Sequence, residues 1–183
     1  MHSYHMDQLF APWRIEWVER DAPADADGCP FCRLPTIGDD QEALIVARSE
    51  HAYLLLNNFP YNPGHAMVIP FRHETHHQDL SDAELLDCER LVQRTLTAME
   101  TAMNPNGFNT GRNLGSAGGG SIGHLHTHVV PRWHGDTNFM AVIDDTKVIV
   151  QAVAETYESL HTAFGEQPGA GHTSSGAIQV SVD

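Results

Sequence analysis

The sequence predicts an α+β domain: an antiparallel sheet of about five strands, one main helix and a C-terminal helix. Three observations predict it. Short apolar runs bounded by Asn, Pro and Gly fill residues 43–70. A capping signature, Ser81-x-x-Glu84, opens a stretch in which Leu85, Cys88, Val92, Leu96, Met99 and Met103 recur at steps of three and four. Strand character then returns at Gly107–Asn113 and His124–Val130.

The elements follow in order. Residues 1–28 hold an aromatic segment, Leu9-Phe10-Ala11-Pro12-Trp13-Arg14 with Trp17, and an acidic connector from Asp21 to Gly28. The domain proper runs from 29 to 164. Ala43–Ala47, Ala52–Leu56 and His65–Pro70 are its first strands, separated by Asn57-Asn58 and Asn62-Pro63-Gly64. The main helix ends at Asn104-Pro105-Asn106-Gly107. Ile149, Val153, Tyr157, Leu160 and Phe164 mark the second helix, and the Gly- and Ser-rich residues 165–183 read as a disordered tail. Cys88, in the helical apolar stripe, reads as a core thiol.

Composition excludes several functions. Acidic residues number 24 against 10 basic ones, and Lys147 is the single lysine, for a net charge of −14. Such a chain repels nucleic-acid backbones, which argues against a nucleic-acid partner. The acidic excess looks like adaptation to a salty cytoplasm; an acidic protein from an ordinary cell is the alternative. No apolar run approaches the roughly 18–20 residues of a membrane span. Met1 to Gln8 are polar and lack the core of a secretory signal, so the expected location is cytoplasmic.

The chemistry concentrates in His124-Leu125-His126-Thr127-His128-Val129-Val130-Pro131. In a strand, His124, His126 and His128 line one face. A plain metal site, or a harmless solvent-facing row in a chain with 13 histidines, gives the same spacing. The residues upstream tip the balance. Asn113-Leu114-Gly115-Ser116-Ala117-Gly118-Gly119-Gly120-Ser121 is a glycine-rich turn whose backbone N–H groups can cradle phosphate oxygens, with the Ser121 hydroxyl as a further donor.

Residues 113–131 resemble the signature of the histidine-triad (HIT) superfamily. Asn57-Asn58-Phe59-Pro60, Pro63-Gly64-His65 and Ile69-Pro70-Phe71-Arg72-His73 resemble its other landmarks, so the likeness spans Cys29 to Trp133. The run Pro131-Arg132-Trp133-His134-Gly135-Asp136-Thr137-Asn138-Phe139 is similar to the diadenosine tetraphosphate phosphorylase and hydrolase branch. The resemblance implies a HIT-like fold, a homodimer and nucleotidyl transfer or hydrolysis on dinucleoside polyphosphates. It makes His126 the nucleophile and His128 the residue that contacts phosphate and assists the leaving group. Ser121, Gly119 and Gly120 would bind phosphate, Asn57 would lie near the ribose, and Asn113 near phosphate and sugar. His65 is either a hydrogen-bond partner of the triad or a structural residue. A nucleophilic imidazole must be neutral, so the rate should fall below about pH 6.5 if its pKa is unshifted. Where many family hydrolases carry Gln, this chain has Gly120, which leans towards phosphorolysis and leaves hydrolysis open. A nucleoside phosphoramidate hydrolase and a non-catalytic nucleotide-binding sensor are the alternatives.

Cys29-x-x-Cys32 offers two thiolates, and a structural zinc takes four N or S ligands. In zinc-containing relatives the other pair corresponds to His73 and His124, so the resemblance implies a structural Zn²⁺ on Cys29, Cys32, His73 and His124. His76 and His77 are competing ligands, and a reduced, unligated pair is the alternative.

Overall fold

The computed structural model describes residues 28–136 and 153–181. The aromatic segment and most of the acidic connector, Ile149, and the Thr137-Asn138-Phe139 end of the branch motif lie outside the described residues. The helices are α1 (Pro30–Arg33), α2 (Asp82–Met103) and α3 (Val153–Gly165). The strands are β1 (Ile45–Arg48), β2 (Ala52–Leu56), β3 (Ala66–Pro70), β4 (Gly107–Gly111), β5 (Thr127–Arg132), β6 (Ala170–His172) and β7 (Ile178–Val180). Among the described residues no helix is long and apolar enough to cross a membrane.

The strands form one sheet in the order β4-β5-β3-β2-β1-β7-β6. All neighbours are antiparallel except β1 and β7. The sheet is therefore mixed and wider than the five antiparallel strands expected. The extra strands come from the segment read as a disordered tail. Its glycines and serines conceal two features that order it. Ile178 and Val180 are buried beside α3. Asp40, itself buried, accepts hydrogen bonds from the Ser175 and Thr173 hydroxyls and from the Ala177 N–H. The same carboxylate takes a paired contact from Arg48, whose guanidinium holds its pKa down against the desolvation of burial.

Both faces of the central strands are covered. Val46, Leu54, Leu56 and Val68 pack under α2 and α3 with Leu91, Met99, Leu160 and Phe164. Ile45, Tyr53, Leu55, Met67 and Ile69 face the other way, towards Cys29 and Phe31 in and beside α1. Truncating a fully buried leucine such as Leu54 to Ala costs about 2–5 kcal/mol. The capping box of α2 forms as its sequence requires: the Ser81 hydroxyl accepts the Glu84 N–H, and the Glu84 carboxylate accepts the Ser81 N–H at 2.8 Å. The helix stops at Asn104, which is left-handed with φ 47°.

Candidate active site

Strand parity decides which face the triad occupies. His128 is paired with Met67 across β3 and β5, on the face away from α2 and α3. Its neighbour Val129 packs under those helices. The regular ladder starts at Thr127, three residues later than expected, because the Leu125 N–H is taken by the Glu74 carbonyl at 2.7 Å. The rings nonetheless follow one another. His126 and His128 meet edge to face with centroids 4.8 Å apart, and Phe31 touches both His124 and His126.

His126 is 7% exposed. Its Nδ1 donates to the His124 carbonyl at 2.8 Å, which fixes the proton there and leaves the Nε2 lone pair for chemistry. Burial holds its pKa below the ordinary imidazole value, and the bond to His124 only partly opposes this. The neutral ring therefore persists to lower pH than the unshifted value allows.

The proton of His128 is set from further away. The Asn57 Oδ1 accepts the Phe59 N–H at 2.9 Å, so its amide NH₂ faces Nδ1 of His65 at 3.2 Å. The Tyr61 N–H donates to the same nitrogen at 3.1 Å. With two donors on Nδ1, His65 carries its proton on Nε2 and gives it to Nδ1 of His128 at 2.9 Å. Neutral His128 must then be protonated on Nε2. His65 is thus placed on the triad, and Asn57, expected at the ribose, bonds the Phe59 N–H through Oδ1 and His65 through its NH₂.

The sequence reading missed Tyr61, which lies between two of the quoted landmarks. Its contribution is a backbone N–H and a ring 4.4 Å from that of His65, neither of which has a residue-type signature. It also missed the clamp beneath this loop. Asn62 donates to the Pro131 carbonyl and to Asp136, and Asp136 takes Nε and Nη2 of Arg132, one on each carboxylate oxygen. The four-residue spacing of Arg132 and Asp136 was the available signal.

Three N–H groups of the glycine turn are bonded within the turn itself. The N–H groups of Gly118 and Gly120 donate to the Gly115 carbonyl and that of Gly119 to the Ser116 carbonyl. Those three donors are already used. A Cβ at Gly120 would lie 3.0 Å from the Gly115 oxygen and 3.2 Å from that of Asn113. Glycine there lets the turn close on itself. Asn113 lies half-buried against Gly119, and Ser121 is exposed at the end of the turn.

At the other end of the row the four expected metal ligands converge. The donor atoms of Cys29, Cys32, His73 and His124 lie within 4.8 Å of one another. The His124 Nδ1 is 3.4 Å from the sulfur of Cys29 and 3.6 Å from that of Cys32, and the His73 Nδ1 is 3.3 Å from Cys32. A tetrahedral ion with Zn–S about 2.3 Å and Zn–N about 2.1 Å separates its S and N ligands by about 3.6 Å. The cluster fits that geometry. The His124 Nε2 donates to the Pro70 carbonyl at 2.9 Å, which aims its Nδ1 lone pair at the sulfurs. Burial lowers the His124 pKa to about 4, and burial with the adjacent Cys29 raises that of Cys32 to about 11. These residues could hold a metal ion. His76 groups instead with Glu74 and Asp79, and His77 accepts from Arg112.

A HIT domain model matches residues 39–135, which include the triad, His65 and His73. The chain belongs to the HIT family. It is 40% identical over 170 residues to a Mycobacterium tuberculosis protein named AP-4-A phosphorylase, covering 89% of this chain and 87% of the relative. With that relative it is a HIT-family nucleotide hydrolase or phosphorylase. It is also 26% identical over 128 residues to the adenosine 5'-monophosphoramidase HNT1 of Saccharomyces cerevisiae, covering 69% of this chain and 77% of that one. The fold matches a Zn-bound histidine triad family protein from Mycobacterium smegmatis with TM-score 0.63 and 23% identity, over 78% of this chain and 96% of the other.

Proposed function

We propose that this HIT enzyme is a dinucleoside polyphosphate phosphorylase working through a nucleotidyl-His126 intermediate. The observation that carries the reading is the His126–His124 hydrogen bond, which leaves a neutral Nε2 beside His128. The similarity to the AP-4-A phosphorylase supports the substrate class. The His126 Nε2 lone pair attacks the α-phosphorus. The bond from phosphorus to the bridging oxygen breaks, and the electron pair leaves with the nucleoside polyphosphate. That product is a stabilised anion, so it needs a hydrogen bond rather than a full proton. The His128 Nε2–H supplies one, and the Ser121 hydroxyl and Asn113 serve the non-bridging oxygens. An oxygen of inorganic phosphate then attacks the same phosphorus, the N–P bond breaks and His126 is regenerated. The products of diadenosine tetraphosphate are ADP and ATP.

Cys29, Cys32, His73 and His124 would hold a structural zinc. Zinc there would tie α1 to the residue whose carbonyl orients His126, and it would contribute folding free energy. We also read the protein as a homodimer, supported by the place of β4 at one end of the sheet among the described residues.

Incubation with diadenosine tetraphosphate, with and without inorganic phosphate, tests the reaction. Phosphate-dependent formation of ADP and ATP is expected. ATP plus AMP would make the protein a hydrolase instead. Turnover of adenosine phosphoramidate alone would favour the phosphoramidase chemistry of the yeast relative, and binding without turnover a sensor.

A further inference from the structure

We infer that the groove running from His128 along β4 and β5 to Arg132 is the subsite for the departing nucleoside polyphosphate. This rests on the proposed phosphorylase reading and assigns the half of the substrate that His126 does not keep.

The groove has a volume of about 360 Å³, within the range of pockets that hold small ligands. Its lining includes His128 but not His126. In an in-line displacement the leaving oxygen lies opposite the attacking nitrogen. The departing half must therefore extend from the residue that hydrogen-bonds the leaving oxygen, which is where this groove begins. Register fixes its floor. Gly111 pairs with His128, Asn109 with Val130, and all four lie on the triad's face of the sheet. Gly111 presents no side chain beside His128. Arg132 ends the floor about 13 Å from His128, taking about 3.3 Å per strand residue.

The far end carries built donors. Arg132 uses three of its five N–H groups, on Asp136 and on the Asn109 Oδ1. One N–H remains on each terminal nitrogen, on a side chain 42% exposed. Because its Oδ1 faces Arg132, the Asn109 NH₂ also points away with its donors. Asp136 balances the charge of Arg132 and pins its position. The result is a fixed set of donors suited to phosphate oxygens and ribose hydroxyls.

The test compares kcat/KM for diadenosine tetraphosphate with that for an adenosine 5'-monophosphate ester bearing a small leaving group. Asn109→Trp, which fills the groove, should lower the ratio of the two at least about tenfold, and Arg132→Gln should lower it by a similar factor. Equal losses on both substrates, or no loss on the dinucleotide, would overturn the subsite while leaving the phosphorylase reading intact. If the wild-type protein turned over neither substrate, that reading would fail by itself. Calorimetry would then decide the subsite: a non-hydrolysable diadenosine tetraphosphate analogue should bind more tightly than AMP, and Asn109→Trp should erase the difference. Equal affinity of the wild type for both would overturn it.

Discussion

His65 donates its Nε2 proton to Nδ1 of His128 across 2.9 Å, and the backbone of Tyr61 and the amide of Asn57 leave it no other tautomer. The consequence reaches the reaction through one atom, the His128 Nε2–H. His65→Ala should leave nucleotide affinity nearly unchanged and lower kcat by roughly 10²-fold, because the donor is no longer aimed. His65→Gln, whose amide can still donate, should recover part of the loss. Steady-state kinetics on both variants checks this; a fall confined to KM would contradict it.

His126→Ala removes the one side chain in the proposed scheme that bonds to phosphorus. Turnover should fall at least about 10³-fold while the protein still binds a nucleotide, as is usual when a nucleophile is deleted from a preformed site. Calorimetry with AMP alongside rate measurement separates the two effects. Residual turnover within tenfold of wild type would rule out the covalent intermediate.

Much of this site was legible because its determinants are local. Alternation alone puts His124, His126 and His128 on one face, and Ser81 with Glu84 announces α2 within four residues. The parts that were not legible depend on partners distant in sequence or on the main chain. Asp40 meets Ser175 and Ala177 more than 130 residues away, so a Gly- and Ser-rich segment that looks disordered becomes β6 and β7. In the glycine turn the N–H groups of Gly118, Gly119 and Gly120 go to carbonyls of the turn itself, a pairing that glycine spacing does not announce. The family likeness points to Asn57 for the ribose and is silent on its amide bonds to Phe59 and His65, which join residues of one loop through the main chain and a ring nitrogen.

The metal cluster predicts a stoichiometry and a stability effect. Protein purified under reducing conditions should contain one zinc per chain, and Cys32→Ala should lose it. Chelation should lower the melting temperature, since free energy of binding at such a site is free energy of folding. Elemental analysis and thermal melts with and without chelator measure both. Full metal content in Cys32→Ala would exclude the cluster.

The Asp40 hub predicts which substitution unravels the C-terminal hairpin. Asp40→Ala leaves Arg48 without its partner and removes the acceptor of the Ser175, Thr173 and Ala177 donors. Breaking a buried pair in this way costs about 3–5 kcal/mol. Hydrogen exchange should show β6 and β7 losing protection before β2 and β3. Uniform loss across the sheet would mean that the hairpin is held mainly by Ile178 and Val180.

Acid stability should depend on Glu84. Its hydrogen bonds from Arg72, and then those from Ser81, lower its pKa to about 2 against the desolvation of burial. A carboxylate whose folded-state pKa lies below its unfolded value stabilises the fold fully above the unfolded pKa, near 4.3, and loses that contribution as pH falls towards the folded value. The window is therefore about pH 4 to 2, and the direction is destabilisation on acidification. Arg72 is partly exposed, so salt should weaken the effect. Urea midpoints measured between pH 5 and 2 should fall less steeply for Glu84→Gln than for wild type. Parallel curves for the two proteins would show that the Arg72–Glu84 pair has no part in acid unfolding, leaving Asp40, Glu74 and Asp136, also shifted downward, to account for it.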